Sequence, residues 1–418
     1  MIQFSFINKI VLLFLSIVCV CPLFAQQGQN QFILPHTIDS ILQTQVQQKH
    51  IPGAVVLIKK DGKILYQQAY GYARLFNNQH QLLRQPEKMQ LNTLFDLASL
   101  TKVVGTTTAI MYLTDKHLLS VDDPVCKYVP DFNTPDKKNI TIRHLLTHTS
   151  GIIEWYPLFY KAHNRQQVFS LIAKLPLRYP IGAQRKYSDL GFTILGEIIQ
   201  DITGMPFEQF EDEKIFKPLN MLHTTYNPLQ KKLFAHFAAT SFGNPYEKRM
   251  VYDSTLGFTQ KDIDPTSWNG WRNYVLSGEV NDGNAWYANG GVSGAAGLFS
   301  TAADIQQLVD MLLNNGTVNG QSFISATTLQ TFFTKDAFQN GLGWMMDTHD
   351  SFMKNAPEGS FGHTGFTGTS IVVMPQYHTS IILLINRQHM GLLPNGTYFD
   401  VTPIRKQIFQ AVLQYCNQ

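Results

Sequence analysis

The sequence predicts an α/β protein of the α+β type. An antiparallel sheet is formed by both chain ends and flanked by helices, with a mostly helical insertion between them. Three observations predict it. Strand-like segments lie near both ends of the 418 residues, helical spacing dominates the middle, and no repeat or Gly/Ser- or Pro-rich linker divides the chain.

The elements follow in order. Residues 1–25 read as an export leader: Lys9 precedes an apolar run, Ile10 to Phe24, that is shorter than the ~20 residues of a membrane span. Pro22 breaks the run, and Ala25 offers a small residue for cleavage before Gln26. An anchor left uncleaved, with residues 10–24 associated with a membrane, is the alternative. Residues 26–418 then form one unit. Its sheet comes from about 37–75 and 340–418, and its insertion from about 100–335. Ile38, Ile41, Leu42 and Val46 share a helical face that Pro52-Gly53 stops. Residues 54–60 and 63–73 flank Asp61-Gly62, a dipeptide suited to a two-residue hairpin turn. Leu190, Ile194, Leu195, Ile198, Ile199 and Ile202 define an amphipathic helix ended by Gly204. Residues 369–375 and 379–386 read as two further strands, and 402–415 as a last helix.

Composition excludes one class. Lys plus Arg number 33 and Asp plus Glu 30, a net charge of +3, and no dense basic run occurs. A nucleic-acid partner is therefore not expected. Loss of the leader leaves two of the four cysteines, Cys126 and Cys416, which read as separate small hydrophobes although export would permit a disulfide.

Three motifs carry chemistry. In Ser99-Leu100-Thr101-Lys102 the two polar side chains, three apart on a helix, project on one side. An ammonium beside a hydroxyl lowers the cost of forming an alkoxide, and a neutral amine could take its proton. Ser351 and Lys354 have the same spacing but stand in a polar stretch, whereas Val103, Val104, Ala109, Ile110 and Leu113 bury the helix behind Ser99. Tyr187-Ser188-Asp189 opens the amphipathic helix, and a tyrosine near a lysine ionises more easily. Tyr287, Tyr398 and Tyr415 match the same pattern in poorer contexts. His363-Thr364-Gly365 stands directly before a strand, where small residues let a substrate backbone lie along the edge.

In this order the three elements resemble the S-x-x-K, Y-x-N/D and [K/H]-T-G set of the serine β-lactamase and penicillin-binding-protein superfamily, most nearly its class C branch. Residues 120–130, 140–152 and 203–221 resemble that branch's connecting segments. "YSD", "GGVSGAAGLFST", "GLGW" and "GHTGFTGTS" resemble the narrower penicillin-binding-protein 4B type, D-alanyl-D-alanine carboxypeptidases of the bacterial periplasm. The resemblance implies a β-lactamase/transpeptidase-like fold and a periplasmic serine hydrolase acting on peptidoglycan peptides, without cofactor or metal. It implies that Ser99 is the acyl-forming nucleophile, Lys102 shares its proton and Tyr187 is the general base. It places the oxyanion hole at the Ser99 and Phe366 amides, and the substrate against Asp189, His363, Thr364 and Gly365. Two residues depart from the lactamase pattern. Asp189 stands where Asn is usual, and an ionised Asp cannot donate to a substrate carbonyl; it could instead pair with Lys102 and keep it protonated. His363 replaces Lys and would titrate near neutrality. Both point away from strong β-lactamase activity and leave a peptidase, an esterase or a weak β-lactamase. A non-catalytic binder of cell-wall peptides or β-lactams is the alternative of another class.

Other candidates read as structural. His144 and His148 lack the Glu of a zinc helix. Trp155, Tyr156, Trp286 and Tyr287 read as packing, Asp122-Asp123 as a turn, and Glu154 as a weak substrate contact.

Overall fold

A computed structural model describes residues 23–231 and 236–418. The expected leader lies outside the described residues except for its last three positions. Those three open helix α1 (Leu23–Gln47), which starts well before the residue-37 boundary expected from apolar spacing. No described helix is long and apolar enough to cross a membrane.

Six strands make one antiparallel sheet: β1 (Gly53–Lys60), β2 (Lys63–Phe76), β3 (Leu82–Lys88), β4 (Phe361–Thr364), β5 (Ser370–Met374) and β6 (Thr379–Ile385), in the order β3-β2-β1-β6-β5-β4. The Asp61-Gly62 turn has φ of 48° and 75°, the doubly positive geometry a tight hairpin requires. The two halves of the chain meet where β1 pairs with β6, from Ala54 opposite Ile385 to Lys60 opposite Thr379. β3 was not expected. Its pattern is polar and exposed, and Arg84, Pro86, Glu87 and Lys88 blunt it as an edge.

Strand alternation sorts the core into two layers. Ala54, Val56, Ile58, Ile381, Leu383 and Ile385 face Ile38 and Leu42 of α1 and Ile404, Ile408, Phe409 and Val412 of the last helix. Val55, Leu57, Ile371, Val373, Ile382 and Leu384 face the opposite way, into the larger core of the helical region. With both faces covered, β6 is buried throughout and reads as a continuous apolar run.

The insertion contains α2 (Thr108–Asp115), α3 (Asp189–Thr203) and α4 (Ala302–Leu313), and the chain closes with α5 (Thr402–Cys416). α3 ends as expected at Gly204, whose φ is 64°. A small second sheet joins 95–96, 298–300 and 225–226. It draws the segment before Ser99 against the Gly-rich loop after residue 290.

The helix carrying Ser99 and Lys102 differs from expectation. Residues 98–100 form a 3₁₀ turn, 102–107 a π-helix, and regular α-helix begins only at Thr108. The Thr108 hydroxyl donates to the Val103 carbonyl 2.9 Å away, five residues back. Thr106 donates outward to Gly294 O at 2.7 Å. These side-chain bonds compete with the ordinary i→i−4 ladder and accompany the wider turn.

Candidate active site

Ser99 follows a strained residue. Ala98 has φ of 46°, a conformation that costs a non-glycine residue about 1–3 kcal/mol. Asp96 holds it there: Oδ1 accepts from Ala98 N at 2.9 Å and Oδ2 from Asn281 N at 2.6 Å. The turn after β4 is stitched to the same segment. Thr367 Oγ1 donates to Asp96 O at 2.7 Å, and Thr369 Oγ1 to Leu97 O at 3.1 Å. Only glycine fits at 365, where a Cβ would lie 2.4 Å from Leu97 O. Arg405 of α5 reaches in from behind, donating to Thr369 O at 2.9 Å and Gly365 O at 3.3 Å.

Lys102 is 0% exposed, and three acceptors surround its ammonium. Asp189 Oδ1 is at 2.7 Å, Ala295 O at 2.9 Å and Ser99 Oγ at 3.1 Å. A lysine ammonium has three protons, so each acceptor can take one. Burial pulls the Lys102 pKa down, but the charge of Asp189 and then Tyr187 outweigh it, and the net direction is up. The pairing of Asp189 with Lys102 is therefore present in the fold. Asp189 arrives there as the first residue of α3, whose N-cap is Ser188.

The Tyr187 hydroxyl is buried, with the Ser99 hydroxyl and the Lys102 ammonium as its polar neighbours. Its ring lies 4.4 Å from His148 and 5.1 Å from the Lys102 ammonium. Burial raises its pKa, and Lys102 pulls the other way. His148 is a positioning group: its Nδ1 accepts from Ser188 N at 3.0 Å and so fixes the start of α3. His144 caps its own short helix by accepting from Thr141 N through Nδ1, at 3.1 Å.

His363 corrects an expectation. It is 3% exposed, behind Tyr187 at a ring separation of 6.2 Å, with Nδ1 2.9 Å from Thr364 O. Burial first, and then the Lys102 charge, push its pKa down to about 3. It is neutral at physiological pH rather than titrating there. Thr364 and Gly365 lie at the end of edge strand β4.

Ser99, Tyr187, Asp189 and Phe366 line one cleft of about 540 Å³. Trp155, Met250, Phe258 and Tyr246 supply apolar wall, so Trp155 is cleft lining as well as packing. Neither the Ser99 nor the Phe366 amide makes a hydrogen bond among the described residues. Glu154 also lines the cleft, with Tyr179 Oη at 3.1 Å and Arg178 at 3.6 Å.

Two lining carboxyls escaped the sequence reading. Asp282 accepts from Ala285 N at 2.7 Å, and burial and the neighbouring Asp189 push its pKa up to about 6. Glu247 accepts from Gly283 N at 2.9 Å and Asn244 Nδ2 at 2.8 Å, and burial and Asp282 push it up to about 8. Asp282 sits in an irregular segment and Glu247 in the short helix 245–252, and neither belongs to a motif. Among the described residues no group of three His, Cys, Asp or Glu forms a metal cage, and Cys126 and Cys416 are free.

This sheet, framed by helices over a cleft that joins Ser99, Lys102 and Tyr187, has a counterpart among known proteins. A sequence model described as "Beta-lactamase" matches residues 38–399, and the chain belongs to that family of hydrolases. Among curated relatives, the "N-acetylmuramyl-L-alanine amidase" of Bacillus subtilis is 34% identical, covering 82% of this chain and 78% of its own. The Escherichia coli K12 protein named "Putative D-alanyl-D-alanine carboxypeptidase" is 33% identical, covering 87% of each. Among solved structures, a class C β-lactamase aligns over 92% of this chain and 99% of its own, with a TM-score of 0.64 at 18% identity. The hydrolase EstCE1, titled as having promiscuous acyltransferase activity, aligns over 93% and 99% with a TM-score of 0.66 at 21% identity. At those identities the structures speak for the fold.

Proposed function

We propose that the protein is an exported serine hydrolase of D-alanyl-D-alanine carboxypeptidase type, acting on peptidoglycan stem peptides through an acyl-enzyme on Ser99. The observation that carries the reading is the contact of Ser99 Oγ with the buried Lys102 ammonium at 3.1 Å, on the wall of a cleft large enough for a peptide end. The names of the two curated relatives, both concerned with cell-wall amides, support the substrate class.

In this reading Ser99 Oγ attacks the carbonyl of the penultimate residue. Its proton passes through Lys102 and Tyr187 to the departing D-alanine nitrogen as the C–N bond breaks. The Ser99 and Phe366 amides, unspent elsewhere, stabilise the developing oxyanion. Water then opens the ester by the reverse proton path. Thr364 and Gly365 hold the substrate along the edge of β4, with His363 behind them as a neutral support. The leader 1–25 delivers the enzyme to the periplasm.

Incubation with fluorescent penicillin, followed by peptide mass mapping, is expected to find the adduct on Ser99 and none in Ser99→Ala. An unlabelled wild-type protein beside a labelled control enzyme would overturn the reading. One observation favours a second reading, a hydrolase of small esters: the neutral His363 supplies no fixed cation for a substrate carboxylate. Turnover of a short acyl ester with none of a D-Ala-D-Ala peptide would select it.

A further inference from the structure

Two peptide planes in the turn after β4 decide where the Phe366 amide points. In a trans peptide the carbonyl of one residue and the N–H of the next point in opposite directions. The Gly365 carbonyl accepts from Arg405 Nη2 at 3.3 Å and from Gly368 N at 3.0 Å, so the Phe366 N–H faces away from both. That fixes the plane before Phe366. A different arginine holds the plane after it.

Arg387 is this second anchor. Its Nε donates to Phe366 O at 3.0 Å, and its Nη1 to Phe399 O at 3.1 Å. Its own backbone N–H donates to Thr367 O at 3.1 Å. Arg387 therefore takes two successive carbonyls of the turn, one with its side chain and one with its main chain. The guanidinium also lies 5.2 Å from the centre of the Phe366 ring, within cation–π range. Tyr246 and Tyr398 flank the same ring at 5.3 and 5.8 Å. Phe366 is 40% exposed and lines the cleft, so burial in the core does not hold it in place. Arg387 itself has a firm base. It follows β6 through Asn386, whose side-chain amide donates to Ala73 O of β2 at 3.0 Å.

We propose that Arg387 is a positioning residue for the oxyanion hole, holding the Phe366–Thr367 peptide so that the Phe366 amide stays aimed at the substrate oxygen while Ser99 attacks. Without Arg387 that plane is free to turn, and the Phe366 N–H loses its fixed direction. A donor aimed beforehand needs no reorganisation when the charge develops, so its benefit falls on the transition state rather than on the bound substrate. The inference deepens the proposed hydrolase reading and rests on Ser99 as nucleophile and the Phe366 amide as oxyanion donor.

Stopped-flow labelling of the mature protein by fluorescent penicillin separates the acylation rate constant from the dissociation constant of the complex that precedes it. Arg387→Ala should lose about tenfold or more in the rate constant, with the dissociation constant within about twofold of wild type. Phenylboronic acid takes the Ser99 oxygen on boron and presents a tetrahedral oxygen to the hole, so its inhibition constant should rise by the same factor. Arg387→Lys keeps the charge without the planar fork and should lose the rate likewise. It also carries the test if Arg387→Ala does not fold. Unchanged acylation in Arg387→Ala would overturn the inference, as would slower acylation with an unchanged boronate constant, or full activity in Arg387→Lys. A weaker penicillin complex with an unchanged rate constant would overturn it too, because Arg387 would then meet the substrate itself. Wild-type labelling separates the two levels. A labelled Ser99 with indifferent Arg387 variants removes this inference and leaves the hydrolase, whereas an unlabelled wild type removes both.

Discussion

Asp189 departs from the lactamase motif that the sequence resembles, and it holds the buried Lys102 ammonium at 2.7 Å. Replacing it with Asn would leave a buried lysine charge without its partner. Such a loss costs about 3–5 kcal/mol if the charge persists, so deprotonation of Lys102 is the cheaper outcome. The sign follows from the causes: Asp189 raises the Lys102 pKa and burial lowers it. In Asp189→Asn the acidic limb of Ser99 acylation by penicillin is expected to move to lower pH in stopped-flow measurements. A limb that stays in place would mean that the ion pair does not control the nucleophile's protonation. The site's proton economy was half legible in the sequence. The Ser-Lys, Tyr and His-Thr-Gly set stood out because its members occur in order beside regular elements. Asp282 and Glu247 did not, because burial and neighbouring charge define them, and a sequence displays neither.

At the scale of elements, the π-helix of residues 102–107 shows where pattern reading stops. Apolar spacing predicted a plain α-helix, and the helix register changes because threonine hydroxyls take carbonyls and Gly105 backs onto Glu211. A Cβ at 105 would lie 2.7 Å from Glu211 Oε1. Glu211 is fully buried with the Tyr226 hydroxyl as its side-chain neighbour, and burial raises its pKa well above the ordinary value. The folded state therefore holds a proton that the unfolded chain releases above about pH 4.3. Stability falls as pH rises from there toward the folded pKa, by as much as about 1.4 kcal/mol per unit. Glu211→Gln removes that slope. Its melting temperature relative to wild type should climb as pH rises above the ordinary carboxylate range, and a constant offset would refute the assignment. The Asp61-Gly62 hairpin and the α3 stop at Gly204 were legible because turn and cap chemistry is local. β3 was not, since a polar edge strand has no apolar alternation to reveal it.

For the whole molecule, one sheet joins the terminal helices to the turn that carries Phe366. α1 and α5 cover one face, and Arg405 of α5 holds the carbonyls of Gly365 and Thr369 beside Phe366. Ile408, 1% exposed, belongs to that layer. Ile408→Ala should cost about 2–5 kcal/mol in urea unfolding. It should also loosen the Phe366 turn enough to slow penicillin acylation. A loss of stability with full acylation would uncouple the two.

The pairing of β1 with β6 also governs how the protein comes into being. Ala54 leaves the ribosome early and Ile385 near the end, so the central ladder of the sheet cannot zip until almost the whole chain exists. Until then β1 presents an apolar run with an unpaired edge, the feature that invites aggregation. Contacts so distant along the chain also slow folding. A chain that reaches its final compartment unfolded would meet this delay after transport, and the proposed nucleophile would be assembled only once the last strands have docked.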